Sequence, residues 1–291
     1  MRTGPAAALL GVVALLLMAA QLNPYLGDFG DDAEFLILGQ GLARGQGYAW
    51  VNTPDLPPHN RYPPGYPLLL AATLRISGTA DDVYRAIGPA KVATAACFLV
   101  SLPLLWLLAR RRLPPWWAVG AVALFALDPV AIRFAVQVMS DLPYVPLLLA
   151  ALLWAESHSR SRRAPDWVVL GALLAAGAYV RSIGLPAAGG VLAWAWLRRE
   201  RRPGAFVASV SFLACMLPWW LRDAALAGGW RYLEELTAAT YLDPDAGTVS
   251  AGGLVARALD NAAFVLGKPA QLGPFGILAA LAGVALLALG A

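Results

Sequence analysis

Apolar residues run along the chain in long segments that are separated by short clusters of charged residues. A run of about 20 apolar residues is long enough to cross a bilayer as a helix, and a shorter run crosses where other helices shield its ends. The pattern predicts about eight spans, an all-α polytopic membrane protein, with the bounds Pro5–Leu22, Val83–Leu108, Trp116–Val136, Leu142–Glu156, Trp167–Val180, Ile183–Leu197, Gly204–Leu221 and Leu272–Gly290.

The composition supports a membrane protein, because 59% of the 291 residues are hydrophobic and only 14% are charged. A soluble domain of this length needs a more charged surface. The formal net charge is +4, but the basic residues form short clusters between apolar runs. Such clusters set membrane topology, so we expect lipid and not nucleic acid as the surrounding partner.

Arginines set the expected orientation, because positively charged residues are retained on the cytoplasmic side. The clusters are Arg2, Arg110–Arg112, Arg160–Arg163 and Arg198–Arg202. With eight spans they share one side, and most acidic residues fall on the other. We therefore predict a cytoplasmic N-terminus and a first span that stays uncleaved, although its start resembles a secretory signal.

Two long segments then lie on the outer side, at about residues 23–82 and 222–271. Within the first, Gly65–Gly78 is apolar but too short to cross. We expect it to form an interfacial helix or to dip into the bilayer and return. No long polar linker divides the chain, so residues 1–291 are predicted to form one transmembrane domain.

Four carboxylates follow the first span within seven residues: Asp28, Asp31, Asp32 and Glu34. Carboxylates beside hydrocarbon are costly and usually functional. The simpler interpretation is that they solvate a loop and that Asp31 or Asp32 caps a helix beginning near Ala33. We favour that interpretation for Asp28 and Glu34, and a functional role for the adjacent pair Asp31 and Asp32.

Later outer turns supply further charges. The outer ends of the third and fourth spans supply Asp128, Arg133 and Asp141, and Arg181 lies in a tight turn between two spans. An arginine at a span end can extend harmlessly to the interface. Nothing in the orientation requires a positive charge on this side, so binding of an anionic ligand by Arg181 is an equal alternative.

Four stretches together resemble the GT-C glycosyltransferases, in the branch of protein O-mannosyltransferases and aminoarabinose transferases. They are Asp31-Asp32-Ala33-Glu34-Phe35 with the following Gly-Gln-Gly-Tyr, Tyr62–Pro67, "MSDLPY" around Asp141, and "YVRSIGL" around Arg181. The resemblance covers about residues 1–202. It implies an enzyme of the bacterial inner membrane that takes a sugar from a polyprenyl phosphate. Relatives usually carry a C-terminal outer domain, which we expect to be absent here.

The resemblance implies roles for the carboxylates. Asp31 would be the general base that takes the proton of an acceptor hydroxyl. Asp32 would hold the acceptor or tune the pKa of Asp31 by like-charge repulsion. Asp141 would complete the acidic pocket. A lipid phosphate as leaving group implies inversion at the anomeric carbon, with one base and no covalent intermediate.

The departing phosphate needs a cation, for which Arg61, Arg133 and Arg181 are the candidates, because arginine matches phosphate geometry. Relatives carry a basic residue at the position of Tyr62, and here Arg61 precedes it. We expect Tyr62, Tyr66 and Glu34 to line the substrate pocket. No cofactor or metal is expected, although the three aspartates leave a divalent cation open.

Two other functions compete with the transferase. A transporter or lipid flippase would carry its carboxylates near the bilayer midplane on broken helices, and not clustered at one surface. A catalytically inactive membrane scaffold is the second alternative. The sequence leaves the sugar and the acceptor open, whether glycan, lipid or protein.

Overall fold

The computed structural model describes residues 3–27, 30–226, 237–238 and 247–267, and every regular element among them is helical. The helices are α1 (Gly4–Gln21), α2 (Asp31–Ala43), α3 (Gly65–Ser77), α4 (Val83–Ala109), α5 (Pro115–Ala126), α6 (Pro129–Ala135), α7 (Asp141–Ser157), α8 (Ala164–Val180), α9 (Gly184–Leu197), a 3₁₀ turn (Arg199–Arg201), α10 (Arg202–Ala225) and α11 (Ala251–Gly267).

Contacts divide the chain into two units, Met1–Leu226 and Ala227–Ala291. The first unit contains α1 to α10. In the second, Arg257 of α11 donates both terminal nitrogens to the carbonyl oxygen of Ala238, at 3.1 Å each. The prediction of one domain over residues 1–291 stays a prediction.

Proline marks where many of these helices begin. Because proline lacks an N–H and has a fixed φ, it fits the first turn of a helix, where N–H groups have no partner within the helix. Five helices carry it there: α1, α5, α6, α8 and α10. The predicted spans begin within about three residues of the starts of α1, α5, α8 and α10, whereas the start of α6 was not predicted.

Three helical segments of the described residues are long and apolar enough to cross a membrane: Gly4–Gln21, Val83–Ala109 and Arg199–Ala225. The helices α8 and α9 are apolar but shorter. These apolar helices are those of a membrane protein. The count of about eight spans stays a prediction, and the last predicted span, Leu272–Gly290, lies outside the described residues.

The predicted span Trp116–Val136 is not one continuous helix, although the bent pair is long and apolar enough together to count as one span. The segment forms α5 and α6, which meet at an angle of 58°. Pro129 disfavours the helical conformation for the residue before it, and Asp128 accordingly has an extended backbone with ψ of 118°. The Asp128 carboxylate accepts a hydrogen bond from the backbone N–H of Val130, at 3.1 Å, and caps α6.

The outer segment between α1 and α4 contains α2 and α3, which pack against each other. Gly39 of α2 lies so close to α3 that an added Cβ would come within 2.8 Å of the Cβ of Leu70. The helix α3 matches the short helix predicted from Gly65 and ends at Gly78, which has a φ of +65° that glycine adopts readily.

Contacts near the helix termini give the first unit two distinct ends. At one, which we call the arginine end, Arg111 and Arg112 after α4 contact Glu156 of α7. At the other, which we call the acidic end, Arg181 after α8 pairs with Asp141 at the start of α7. Because Asp141 and Glu156 lie in the first and last turns of α7, these two contacts are at opposite ends of that helix.

One hydrophobic cluster underlies the acidic end. It joins α2, α3, α4, the turn before α7, α7 itself and the last residue of α8. Its members include Phe35, Leu36, Tyr66, Leu70, Val138, Met139, Tyr144 and Val180. Because several of these residues adjoin charged ones in sequence, their packing brings charges from separate segments to one end.

Candidate functional site

The first turn of α2 carries Asp31, Asp32 and Glu34. The prediction that Asp31 or Asp32 caps the helix is wrong, because the N-cap is Gly30, with a φ of 71° and no side chain. Asp28 lies outside the described residues. The partial positive charge at a helix N-terminus favours carboxylates in this turn.

Asp32 is fully buried, and its carboxylate accepts hydrogen bonds from the backbone. Its Oδ2 accepts a hydrogen bond from the N–H of Gly27 at 2.7 Å, and its Oδ1 accepts one from the N–H of Ala33 at 2.8 Å. Asp31 is only partly buried. Of the adjacent pair, Asp31 is therefore the carboxylate within reach of a substrate.

Arg61 and Tyr62 cover the first turn of α2. The Nη1 of Arg61 lies 3.8 Å from the Oε2 of Glu34, and its guanidinium lies 5.0 Å from the centre of the Tyr62 ring. Burial, and then the neighbouring Asp31 carboxylate, raise the pKa of the Tyr62 phenol. The phenol oxygen makes no hydrogen bond of standard geometry among the described residues. Tyr62 is thus a neutral donor beside Asp31.

A second charged pair comes from α7 and the turn after α8. Arg181 donates from Nη1 to the Oδ2 of Asp141 and, at 3.2 Å, to the hydroxyl of Ser140. Both charged side chains are about one-third exposed, with 36% for Arg181 and 30% for Asp141. Arg181 therefore does not simply extend to the interface, because it is held by a carboxylate from another helix.

Tyr66 lies within electrostatic range of a carboxylate from each of these two groups. Its buried hydroxyl shares a hydrogen bond of 2.7 Å with the hydroxyl of Thr94 in α4. Burial is the main cause that raises the pKa of Tyr66, and the negative charges of Asp141 and Asp32 raise it further. Both carboxylates therefore lie within electrostatic range of one phenol, so α2 and α7 approach the same place.

Two glycines of the sequence motifs allow the start of α3 and the turn after α8 to pack closely against α8. A Cβ on Gly65, at the start of α3, would lie 2.6 Å from the backbone oxygen of Tyr179 in α8. A Cβ on Gly184 would lie 2.6 Å from the backbone nitrogen of Ala178. Backbone-to-backbone contact of this kind excludes any side chain, and it fixes the turn that carries Arg181 against α3.

The structure brings most of the predicted site residues into two groups and leaves one of them apart. Asp31, Asp32, Glu34, Arg61 and Tyr62 meet at the start of α2. Asp141 and Arg181 form the second pair, and Tyr66 lies within range of both groups. Arg133 lies exposed in the last turn of α6. Among the described residues, no three His, Cys, Asp or Glu side chains are grouped closely enough to hold a metal ion.

The sequence pattern did not single out Lys91, or the aromatic cluster around His59. Lys91 in α4 is fully buried; its only signal was a charge inside an apolar span. His59, expected to be an ordinary loop residue, is buried and accepts a hydrogen bond at Nε2 from the N–H of Tyr62, at 2.8 Å. Arg222 of α10 donates to the carbonyl oxygens of His59 and Tyr48, at 2.8 and 3.2 Å.

The fold and this site define an all-helical membrane protein with carboxylates and arginines gathered at one end of its helices. The sequence matches the dolichyl-phosphate-mannose-protein mannosyltransferase family over residues 61–221, more than half of the chain. The chain belongs to this family, which confirms the resemblance to GT-C glycosyltransferases. Arg61, Asp141 and Arg181 lie within the matched range, and Asp31 and Asp32 precede it. No curated protein and no solved structure gives a match.

Proposed function

We propose that the protein transfers a sugar, with inversion, from a polyprenyl-phosphate donor to an acceptor hydroxyl on the non-cytoplasmic face of the membrane. The observation that supports the proposal is that two groups of charges border one hydrophobic cluster: the first turn of α2 with Arg61, and Asp141 with Arg181. Tyr66 of that cluster lies within electrostatic range of Asp32 and Asp141. Membership of a glycosyltransferase family supports the reaction class.

Asp31 is the general base of the proposed reaction. The acceptor oxygen attacks the anomeric carbon as the bond from that carbon to the phosphate oxygen breaks, and the hydroxyl proton passes to the Asp31 carboxylate. The polyprenyl phosphate leaves with the bonding electrons. Partial burial and the neutral phenol of Tyr62 support this role, because the Asp31 carboxylate keeps exposed surface and its phenol neighbour does not neutralise its charge.

Asp32 and Asp141 have supporting roles. Asp32 accepts two backbone hydrogen bonds, which makes it a fixed negative charge that orients the turn carrying Asp31. Asp141 holds Arg181 and is assigned to the acidic pocket. Glu34 and Tyr62 are assigned to the substrate pocket, whereas Tyr66 is fully buried and can only support it from behind.

Arg181 and Arg61 are the proposed phosphate ligands. A guanidinium has five N–H donors, and both hydrogen bonds of Arg181 to described residues use Nη1. Its other nitrogens can therefore bind phosphate oxygens while Asp141 holds the side chain. Arg61 lies on the other side of Tyr62, near Glu34. Arg133 is exposed and is assigned the weaker, long-range attraction of an anionic donor.

The membrane arrangement is part of the proposal: about eight spans, a cytoplasmic N-terminus and a bacterial inner membrane. The grouping of arginines at one end of the helices supports this orientation. The acidic end then faces the non-cytoplasmic side, where polyprenyl-linked sugars are presented. A transporter is less well supported, because its carboxylates would lie midway along broken spans.

The test is a transfer assay with the full-length protein in bilayer nanodiscs. Labelled polyprenyl-phosphate mannose and pentose donors are offered with hydroxyl acceptors, and the product is analysed for anomeric configuration. We expect inverted product from at least one donor. Asp31→Asn should lower turnover by about 10²- to 10⁴-fold.

Asp55→Asn is the matched control, because Asp55 is an exposed aspartate of the same outer segment. Its turnover should equal that of the wild type. Full transfer by Asp31→Asn would contradict the assignment of Asp31 as the general base. Movement of an intact donor or solute across the bilayer without transfer would instead support a flippase or transporter, and neither activity would support the inactive scaffold.

A further inference from the structure

Lys91 is a buried charge that the proposed reaction does not use. It lies in the third turn of α4, in which Arg85 is the other charged residue. None of its surface is exposed. Its Nζ donates a hydrogen bond of 2.9 Å to the Oδ1 of Asn23, two residues beyond the end of α1.

An ammonium group without access to water is costly to bury, so it is found only where neighbouring groups accept its hydrogen bonds. Asn23 is one of these groups. The same Oδ1 also accepts a hydrogen bond of 3.1 Å from the backbone N–H of Tyr25, which forms a local turn. Lys91 therefore fixes the position at which the chain leaves α1.

The segment that starts at this turn ends at the acidic site. Gly27, four residues after Asn23, donates its N–H to the carboxylate of Asp32 at 2.7 Å. A continuous connection thus runs from Lys91 through Asn23 and the short segment 23–27 to Asp32. The carboxylate next to Asp31 is held by a segment whose other end is held by a buried cation.

The face of α4 that carries Lys91 also contacts α3. Thr94, one turn further along α4, bonds to the hydroxyl of Tyr66, and positions three residues apart share a helix face. Through these two neighbouring residues, α4 contacts both the connection that leads into α2 and the tyrosine that lies within range of Asp32 and Asp141.

We propose that Lys91 is a positioning residue, which anchors the α1–α2 connection and thereby holds the acidic turn of α2 in its reactive orientation. This inference rests on the proposed function for its effect on catalysis, whereas the anchoring itself does not. Lys91 does not touch the substrate in this account, because it has no exposed surface. It acts through Asn23, Gly27 and Asp32.

The experiment compares three variants of the full-length protein in nanodiscs. Lys91→Met keeps the side-chain length and removes the charge, and Asn23→Ala removes the acceptor from a loop, where folding tolerates the change better. Ser101→Ala is the control on the same helix, because the buried Ser101 hydroxyl bonds only locally, to the carbonyl oxygen of Cys97 at 2.9 Å. Hydrogen exchange of the peptide 23–32 and transfer kinetics are both measured.

We expect faster exchange in peptide 23–32 for Lys91→Met and Asn23→Ala, and not for Ser101→Ala. In the same two variants kcat should fall by about 10- to 100-fold while KM changes little, because the acidic turn is misplaced and the donor contacts are retained. The double variant should be no worse than the more impaired single variant, because both changes break one connection.

Unchanged exchange in both variants would overturn the anchoring. Faster exchange with unchanged kcat would overturn the positioning role in catalysis. If the wild type transferred no sugar from any donor, the proposed function would fail, and the exchange measurement alone would still decide whether Lys91 anchors the acidic turn.

Discussion

The acidic end and the arginine end of the first unit both contain charged pairs, but the pairs differ in their setting. At the arginine end, Arg112 contacts Glu156 at 2.6 Å and is 67% exposed. At the acidic end, Arg61 and Glu34 are 22% and 26% exposed, and Asp32 is buried outright. Glu156 at the first end is only 23% exposed, so the difference lies in the arginines: Arg112 stands largely in solvent, whereas Arg61 and Arg181 are at most about one-third exposed.

This difference indicates separate purposes. Solvated ion pairs are screened and contribute little to stability, so the arginine end fits a topological role. There, Trp154 and Trp167 donate their indole N–H groups to the carbonyl oxygens of Asp166 and Ser161 and fix the loop after α7. Enclosed charges are costly, and their presence at the acidic end supports the reaction site proposed there.

Among variants that test the difference between the two ends, the largest loss of transfer activity is expected from changes to Asp141 and Arg181. Asp141→Asn and Arg181→Gln should each lower transfer by about 10²-fold, because each leaves a half-enclosed charge without its counterion and disturbs phosphate binding. Combining them should cost little more. The measurement is kcat/KM for the two single variants and the double variant.

Arg112→Gln is the control for that cycle, because it removes an arginine from an ion pair at the other end. It should transfer sugar at the wild-type rate. Additive losses for Asp141→Asn and Arg181→Gln, or a loss in Arg112→Gln of equal size, would remove the distinction between the two ends.

Gly65→Ala should have the next largest effect, this time on stability. The added methyl would overlap the backbone of Tyr179 and Val180, which cannot move aside as a flexible side chain can. Unfolding free energy should fall by about 1–3 kcal/mol. Gly120→Ala is the control, because no atom lies within 4 Å of the new Cβ and alanine favours helix. Thermal unfolding in detergent measures both, and equal stability of the two variants would contradict the packing described.

High pH should weaken the packing of the outer segment. Burial raises the pKa of Tyr48 above its ordinary value, with a smaller opposing contribution from Arg222. A raised pKa stabilises the fold fully below the unfolded value of about 10, and this contribution is lost as pH rises beyond it. Tyr48→Phe should therefore flatten the decline in stability above about pH 10, whereas Tyr84→Phe, at an exposed position, should not. An unchanged slope in Tyr48→Phe would contradict the assignment.

The smallest effect is expected from Glu156→Gln at the arginine end. Because its partner Arg112 is largely exposed, solvent screens the pair, and we expect a stability loss of well under about 1 kcal/mol. Added salt should reduce the loss further. Chemical denaturation at two ionic strengths measures it, and a loss as large as that of Gly65→Ala would show that this end is not simply a solvated surface.

The sequence predicted the helices well where local signals decide them. The predicted spans begin near the starts of α1, α5, α8 and α10, and the short helix predicted over Gly65–Gly78 ends at Gly78. An aspartate followed by a proline, Asp128-Pro129, is a local signal for a bend, but the overall hydropathy of Trp116–Val136 favoured a single span. Local capping and proline effects outweighed hydropathy at that point.

The sequence supplied candidate residues for the site, but it did not predict how they are arranged. Asp31, Asp141 and Arg181 were found because they stand in motifs, yet their pairing joins residues 40 positions apart and depends on the packing of α3 against α8 at Gly65. Lys91 stands in no motif, and its role follows from a hydrogen bond to a residue 68 positions away. Contacts of this kind arise from tertiary packing, which the order of residues does not reveal.

The central claim is that the acidic end, and not the arginine end, carries out sugar transfer. It is tested most directly by neutralising one carboxylate at each end and measuring turnover of a labelled polyprenyl-phosphate sugar side by side. The account predicts that Asp31→Asn loses turnover by at least about 10²-fold and that Glu156→Gln keeps it. Equal turnover in the two variants, or a loss confined to Glu156→Gln, would contradict it.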